Sequence, residues 1–139
     1  MKPVIQEEKT GCAIASAAAI AGIDYPTAKT MAYQLGIEAS NPALWSDTQA
    51  IRRLLQAFNI TIADESVAFS DWQSLPDCAL LAIKWHKIKD KAYWHWVVFV
   101  RDQVTQQAYV LDSKATLKNH RRTDFGRIKP RWFIEVISQ

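Results

Sequence analysis

Cysteine and glycine are scarce in this chain, with two Cys and four Gly among 139 residues, and neither an internal repeat nor a low-complexity tract interrupts it. Two cysteines cannot build a disulfide-stapled mini-protein. Cys12 and Cys78 also stand in dissimilar contexts with no histidine at ligand spacing, so no metal site is expected. The low glycine count and five prolines exclude collagen-like and linker-dominated chains. No uninterrupted apolar run approaches the roughly 18–20 residues of a membrane span. The longest weakly polar stretch, residues 11–23, is mostly alanine and too short. The opening Met-Lys-Pro-Val-Ile-Gln-Glu-Glu lacks the apolar centre of a secretion signal. A cytoplasmic protein with no membrane span is the expectation, and no cofactor is implied.

What is present is the material of an ordinary packed domain, 49% hydrophobic and 22% charged, and the length suits one domain over residues 1–139. A domain of this size buries roughly two-thirds of its unfolded surface and needs no covalent staple. The net charge of +3 is unevenly spread: residues 1–70 carry five basic and seven acidic side chains, residues 71–139 twelve and seven. The basic excess lies in Lys84–Lys91 and Lys114–Arg131. No recognition helix, zinc finger or RNP motif accompanies it, so a solvated basic face is expected rather than a nucleic-acid site. The six tryptophans are dispersed, which argues against a stacking platform for single strands.

The first half reads as helices. Cys12–Ala21 is alanine-rich and stops at Gly22. Pro26 starts a second helix running to Leu35, before Gly36. Ser46 starts a third, with Gln49 completing a capping box and Ile51, Leu54, Leu55 and Phe58 marking the buried face. The second half reads as strands: Ile60–Ala63, Ala79–Ile83, Trp94–Val100, Tyr109–Asp112 and Trp132–Ile137, with Lys84–Lys91 loop-like. The expected class is α+β, with the helices packed on one face of an antiparallel sheet.

Two residues draw attention within this frame. Cys12 opens a helix, where unpaired backbone N–H groups and the positive end of the helix dipole favour thiolate over thiol. Gly11 before it permits close approach. His95, between Trp94 and Trp96 on the strongest strand, is partly desolvated and sensitive to a neighbouring charge. His86 and His120 lie in basic, exposed surroundings. A hairpin pairing Val100 with Gln107 sets His95 opposite Asp112, within reach of one ring nitrogen, and leaves the other for Cys12. Gln6, upstream of the thiol, supplies an amide donor that joins the Cys12 N–H around a developing oxyanion. Trp94 and Trp96 either line a substrate groove or pack against the helices. Cys78, opening an apolar strand, reads as a buried structural thiol.

Gln6…Gly11-Cys12-Ala13, then His95-Trp96-Val97-Val98, then Val110-Leu111-Asp112-Ser113 resembles the papain-like cysteine peptidases. The likeness is greatest to the compact peptidase domain that removes double-glycine leaders in bacteriocin-exporting ABC transporters. Leu44-Trp45-Ser46 and Phe58-Asn59-Ile60 fit the same pattern, so the resemblance spans roughly residues 4–115. It implies a bacterial thiol protease fold in which Cys12, His95, Asp112 and Gln6 are catalytic and a peptide or protein is the substrate. The chain departs from the family at Gly11 and Ala13, where Asp and Gly are usual, and at Ser113, where Pro is usual. Membrane spans and an ATPase, to which the transporter domains are fused, are not present in these residues. Three function classes stay open: a peptide or amide hydrolase, an acyl or amide transferase or deamidase using the same thioester, and a non-catalytic peptide-binding module. Oligomeric state is left open by the sequence.

Overall fold

Alanine is the strongest helix former and presents the thinnest surface, so a helix made of it can be approached from every side. The computed structural model, which describes residues 1–138, places α1 at Cys12–Ala21, and every residue from Cys12 to Ile20 is buried. Gly22 terminates it at φ 74°, with its N–H and that of Ile23 closing onto the carbonyls of Ala18 and Ala19. α2 spans Tyr25–Gln34, starting one residue before Pro26 because the Asp24 carboxylate accepts the Thr27 N–H at 2.9 Å. α3 spans Gln49–Ala57, and here the expected Ser46 start fails. Residues Pro42–Trp45 form a 3₁₀ turn, the Ser46 hydroxyl donates back to the Ala43 carbonyl, and the Asp47 carboxylate accepts the Gln49 N–H at 2.7 Å. Ile51, Leu54 and Leu55 are buried as the spacing predicts, with Phe58 half-buried just past the helix.

Seven strands follow: β1 (Thr61–Ile62), β2 (Val67–Ala68), β3 (Cys78–Ile88), β4 (Lys91–Arg101), β5 (Ala108–Leu111), β6 (Arg121–Arg122) and β7 (Pro130–Ser138). They form an antiparallel sheet in the order β1-β7-β3-β4-β5-β6, with β2 also paired to β7. The two-residue strands β2 and β6 leave no periodic trace in the sequence. Lys84–Lys91 is not a loop. β3 and β4 continue through it as a hairpin arm, turning at Lys89 and Asp90 with φ 50° and 67°, the paired positive values of a two-residue turn. Its lysines are exposed, which is why polarity there does not signal a loop.

The fold is α+β. Leu80, Ala82, Trp96, Val98, Leu111 and Ile134 face the three helices in one core. Ala79, Leu81, Val97, Phe99 and Val110 face Leu75 and Ile128, with Phe69, Trp72 and Phe125 packed against them, in a second. β3 and β4 are therefore covered on both sides, the reason their sequences read as unbroken apolar runs. Among the described residues, no helix is long and apolar enough to cross a membrane.

Candidate active site

The β4–β5 connection decides where Asp112 falls. The Asp102 carboxylate accepts the N–H groups of Val104 and Thr105, and the Asp102 N–H donates to the Gln107 carbonyl, so the turn spans residues 102–107. Val98 then pairs with Leu111 and Val100 with Tyr109. The expected pairing of Val98 with Tyr109 is off by two residues, and His95 is not directly opposite Asp112. A slip of two preserves the faces, since side chains alternate with period two. Continued by one residue, the observed register sets Asp112 opposite Val97, one same-face position from His95. The side chains close that diagonal: His95 Nε2 lies 2.8 Å from Asp112 Oδ1.

Asp112 has three hydrogen-bond partners. Besides His95, its Oδ1 accepts the Lys114 backbone N–H at 3.1 Å, and its Oδ2 accepts Arg122 Nη1 at 2.9 Å. Arg122 is itself held by Asp124 through two bonds of 2.8 and 3.0 Å. Burial pushes the Asp112 carboxyl up, but His95, the Lys114 N–H and Arg122 together pull it down to about 2. Burial likewise pulls His95 down, yet its bonds to Asp112 and to the Cys12 thiol, with their charges, raise it to about 9. Because Nε2 is taken by Asp112, Nδ1 is the ring nitrogen left for Cys12. The imidazole thus stands between a carboxylate and a thiol.

These shifts set the stability profile. The folded pKa of His95 lies above its ordinary 6.5, so its contribution is complete below that pH and is lost as pH rises through about 9. That of Asp112 lies below its ordinary 3.8, so its contribution is complete above about pH 4 and is lost as pH falls towards 2. The two arms correspond to about 2–4 kcal/mol each and share the His95–Asp112 bond. Chemical denaturation across pH will show both losses in the native protein, whereas His95→Gln will lack the alkaline one. An unchanged alkaline arm in that variant would mean that another group produces it.

Gln6 reaches the site from the N-terminal segment. Its backbone N–H donates to the Ser113 carbonyl at 3.0 Å, and its Oε1 accepts the Ser113 hydroxyl at 2.8 Å. Its amide nitrogen donates to the carbonyls of Glu8 and Lys9, both at 2.9 Å, so its two hydrogens shape the loop leading to Cys12. Gly11 precedes the thiol for a steric reason. A Cβ there would overlap the Tyr25 hydroxyl and lie 3.1 Å from the Glu8 carbonyl oxygen. No side chain caps the start of α1, which leaves the N–H groups of its first turn free of side-chain acceptors.

A cleft of about 720 Å³ borders the site, lined by Gln6, Trp45, Lys84, Tyr93, Trp94, His95 and Lys114, among others. Trp94 belongs to its wall. Trp96 does not: it is fully buried and packs edge-on against Trp94 and Trp132 at 5.8 and 5.3 Å, so it is a core residue. Cys12 has no exposed surface and does not line the cleft. Cys78 is buried at the start of β3, and burial pushes its thiol up to about 12. His86 is exposed and stacks on Tyr93. Among the described residues, no group of three or more His, Cys, Asp or Glu could hold a metal ion. Sequence reasoning missed Arg122 and Ser113. The first hid in a basic run, and the second carried one signal, its place directly after Asp112. No protein family, no curated protein and no solved structure matches this chain.

Proposed function

We propose that the protein is a thiol-dependent hydrolase of peptide or amide bonds, built on a papain-like plan and similar in its site to the double-glycine leader peptidases. The observation that carries this reading is His95 bonded to the buried Asp112 carboxylate at the edge of a cleft, with Cys12 near enough to help raise its pKa. Supporting it is the chain order: Gln6, Cys12 at a helix start, His95 on a strand, Asp112 at the end of the next.

In this mechanism His95 holds the Cys12 proton, and the sulfur attacks the carbonyl carbon of the scissile bond. The oxyanion forms against the Cys12 N–H and the Gln6 amide, which must release the Glu8 or Lys9 carbonyl to serve it. The imidazolium protonates the leaving amine as the C–N bond breaks. A water molecule, losing its proton to His95, then attacks the thioester, and the acid and free thiol are regenerated. The sulfur is buried in the resting structure, so local opening of the loop ahead of α1 must uncover it to substrates and small electrophiles alike. A reducing, cytoplasmic setting suits such a thiol.

Iodoacetamide labelling at neutral pH, mapped by mass spectrometry, tests the assignment. Cys78 is the more exposed thiol, at 9% against 0% for Cys12, so access alone favours Cys78. The expected result is the reverse: Cys12 is modified first, and His95→Ala slows it by about a hundredfold or more. Preferential labelling of Cys78, or indifference of Cys12 to His95→Ala, would overturn the reading.

A further inference from the structure

Three lysines, Lys9, Lys84 and Lys114, line the cleft beside His95 without an ion-pair partner, and the last two act on each other. Lys84 sits at a bulge in β3, where Ile83 pairs with His95 and His86 with Tyr93, leaving one extra residue on the β3 side. Its backbone is left-handed at φ 53°, a conformation that side chains other than glycine adopt at a cost. Lys114 lies two residues beyond Asp112, its backbone N–H fixed on the Asp112 carboxylate. Both lysines line the cleft together with His95 and Gln6.

Most of the nearby carboxylates are otherwise engaged, Glu7 at the cleft wall being the exception. Asp112 is shared among His95, the Lys114 N–H and Arg122, and Asp124 binds Arg122. Glu8 is taken by Tyr25 and Lys29. Among the described residues, no carboxylate comes within 4.0 Å of the Lys84 or Lys114 ammonium. Partial burial, and then the charge of Lys114, lower the pKa of Lys84. An anion between them would relieve that repulsion. Trp45, Tyr93 and Trp94 supply an apolar wall to the same cleft, and Glu7 and Asp112 nearby oppose a densely charged polyanion.

We propose that Lys84 and Lys114 bind a carboxylate of the substrate beside the bond attacked, so that the preferred peptide pairs an apolar residue with an acidic group there. This rests on the hydrolase reading for the identity of the ligand as a substrate. The carboxylate is either an acidic side chain or the peptide's own C-terminus, and experiment separates the two.

The test measures binding to full-length Cys12→Ala protein, so that turnover plays no part, with Cys12→Ser as a second background should the first fold poorly. Three fluorescent peptides share one apolar sequence: one has a glutamate and an amidated end, one a neutral residue and a free carboxylate, and one is neutral and amidated. One or both acidic forms should bind about tenfold tighter than the neutral one, an advantage that falls with added salt. Whichever acidic form binds identifies the source. The advantage should shrink to about twofold or less in Lys84→Gln/Lys114→Gln and in Lys114→Gln alone, the latter leaving the β3 bulge untouched, and should survive Lys118→Gln outside the cleft. Equal affinity for the three peptides, no binding of any, persistence of the preference in the lysine variants, or capture of a single-stranded oligonucleotide instead would each overturn it. A carboxylate preference in Cys12→Ala beside an inert native protein would sink the hydrolase reading and leave the anion site standing. Native turnover that is indifferent to charge would do the opposite.

Discussion

Cys12→Ala will hydrolyse no peptide or amide substrate that the native protein cleaves, a loss of about a thousandfold or more, whereas Cys78→Ala will retain activity. Both thiols are buried, and both substitutions remove one sulfur atom from a packed environment, so their effects on folding are of the same kind. What separates them is company. Cys12 has the imidazole of His95 beside it and a helix N-terminus behind it, while Cys78 has apolar strand neighbours that push its thiol up to about 12. Circular dichroism and a melting curve for each variant will exclude unfolding as the cause. If the two variants lose activity equally, Cys12 is not the nucleophile.

The second large effect is steric. Gly11→Ala introduces a methyl group where the Tyr25 hydroxyl lies, and Tyr25 is itself only 3% exposed. To make room, Tyr25 must leave its bond to Glu8, or the Glu8 carbonyl must move. That carbonyl also accepts the Gly11 N–H and one hydrogen of the Gln6 amide. Overpacking of this kind costs about 1–3 kcal/mol, and the displaced loop carries Gln6, so activity falls as well. Tyr25→Phe alone removes one hydrogen bond at about 1 kcal/mol. In the double variant the missing hydroxyl admits the new methyl, so the combined loss will be smaller than the sum by about 1 kcal/mol. Strict additivity in denaturant titrations would show that Gly11 is constrained by something other than Tyr25.

Helix existence was legible because local chemistry decides it: alanine content and Gly22 bound α1 to the residue. The α3 start was not, since Ser46 and Asp47 compete for the same role and only the 3₁₀ turn ahead of them resolves the contest. The strand register was misread by two because the residues 101–107 show no turn signature of glycine or proline, and Asp102 nucleates the turn through its side chain instead. The site survived that error because an even slip returns each side chain to its own face. Arg122 could not be recognised from sequence. An arginine that clamps a buried carboxylate is indistinguishable there from one on a solvated face, and only the pairing of β5 with β6 brings it to Asp112.

The last strand has a consequence for how the molecule comes into being. β7, residues Pro130–Ser138, is an interior strand, lying between β1 and β3. Those residues follow β3 and β4 in the chain, so until they dock, β3 lacks its β7 partner and has backbone N–H and C=O groups on that side open to other chains. The bond between Gln6 and Ser113 also joins residues 107 positions apart. The sheet therefore closes only once β7 has been made and has docked. A chain in which β7 has yet to dock is open to aggregation along the β3 edge, most of all at high expression.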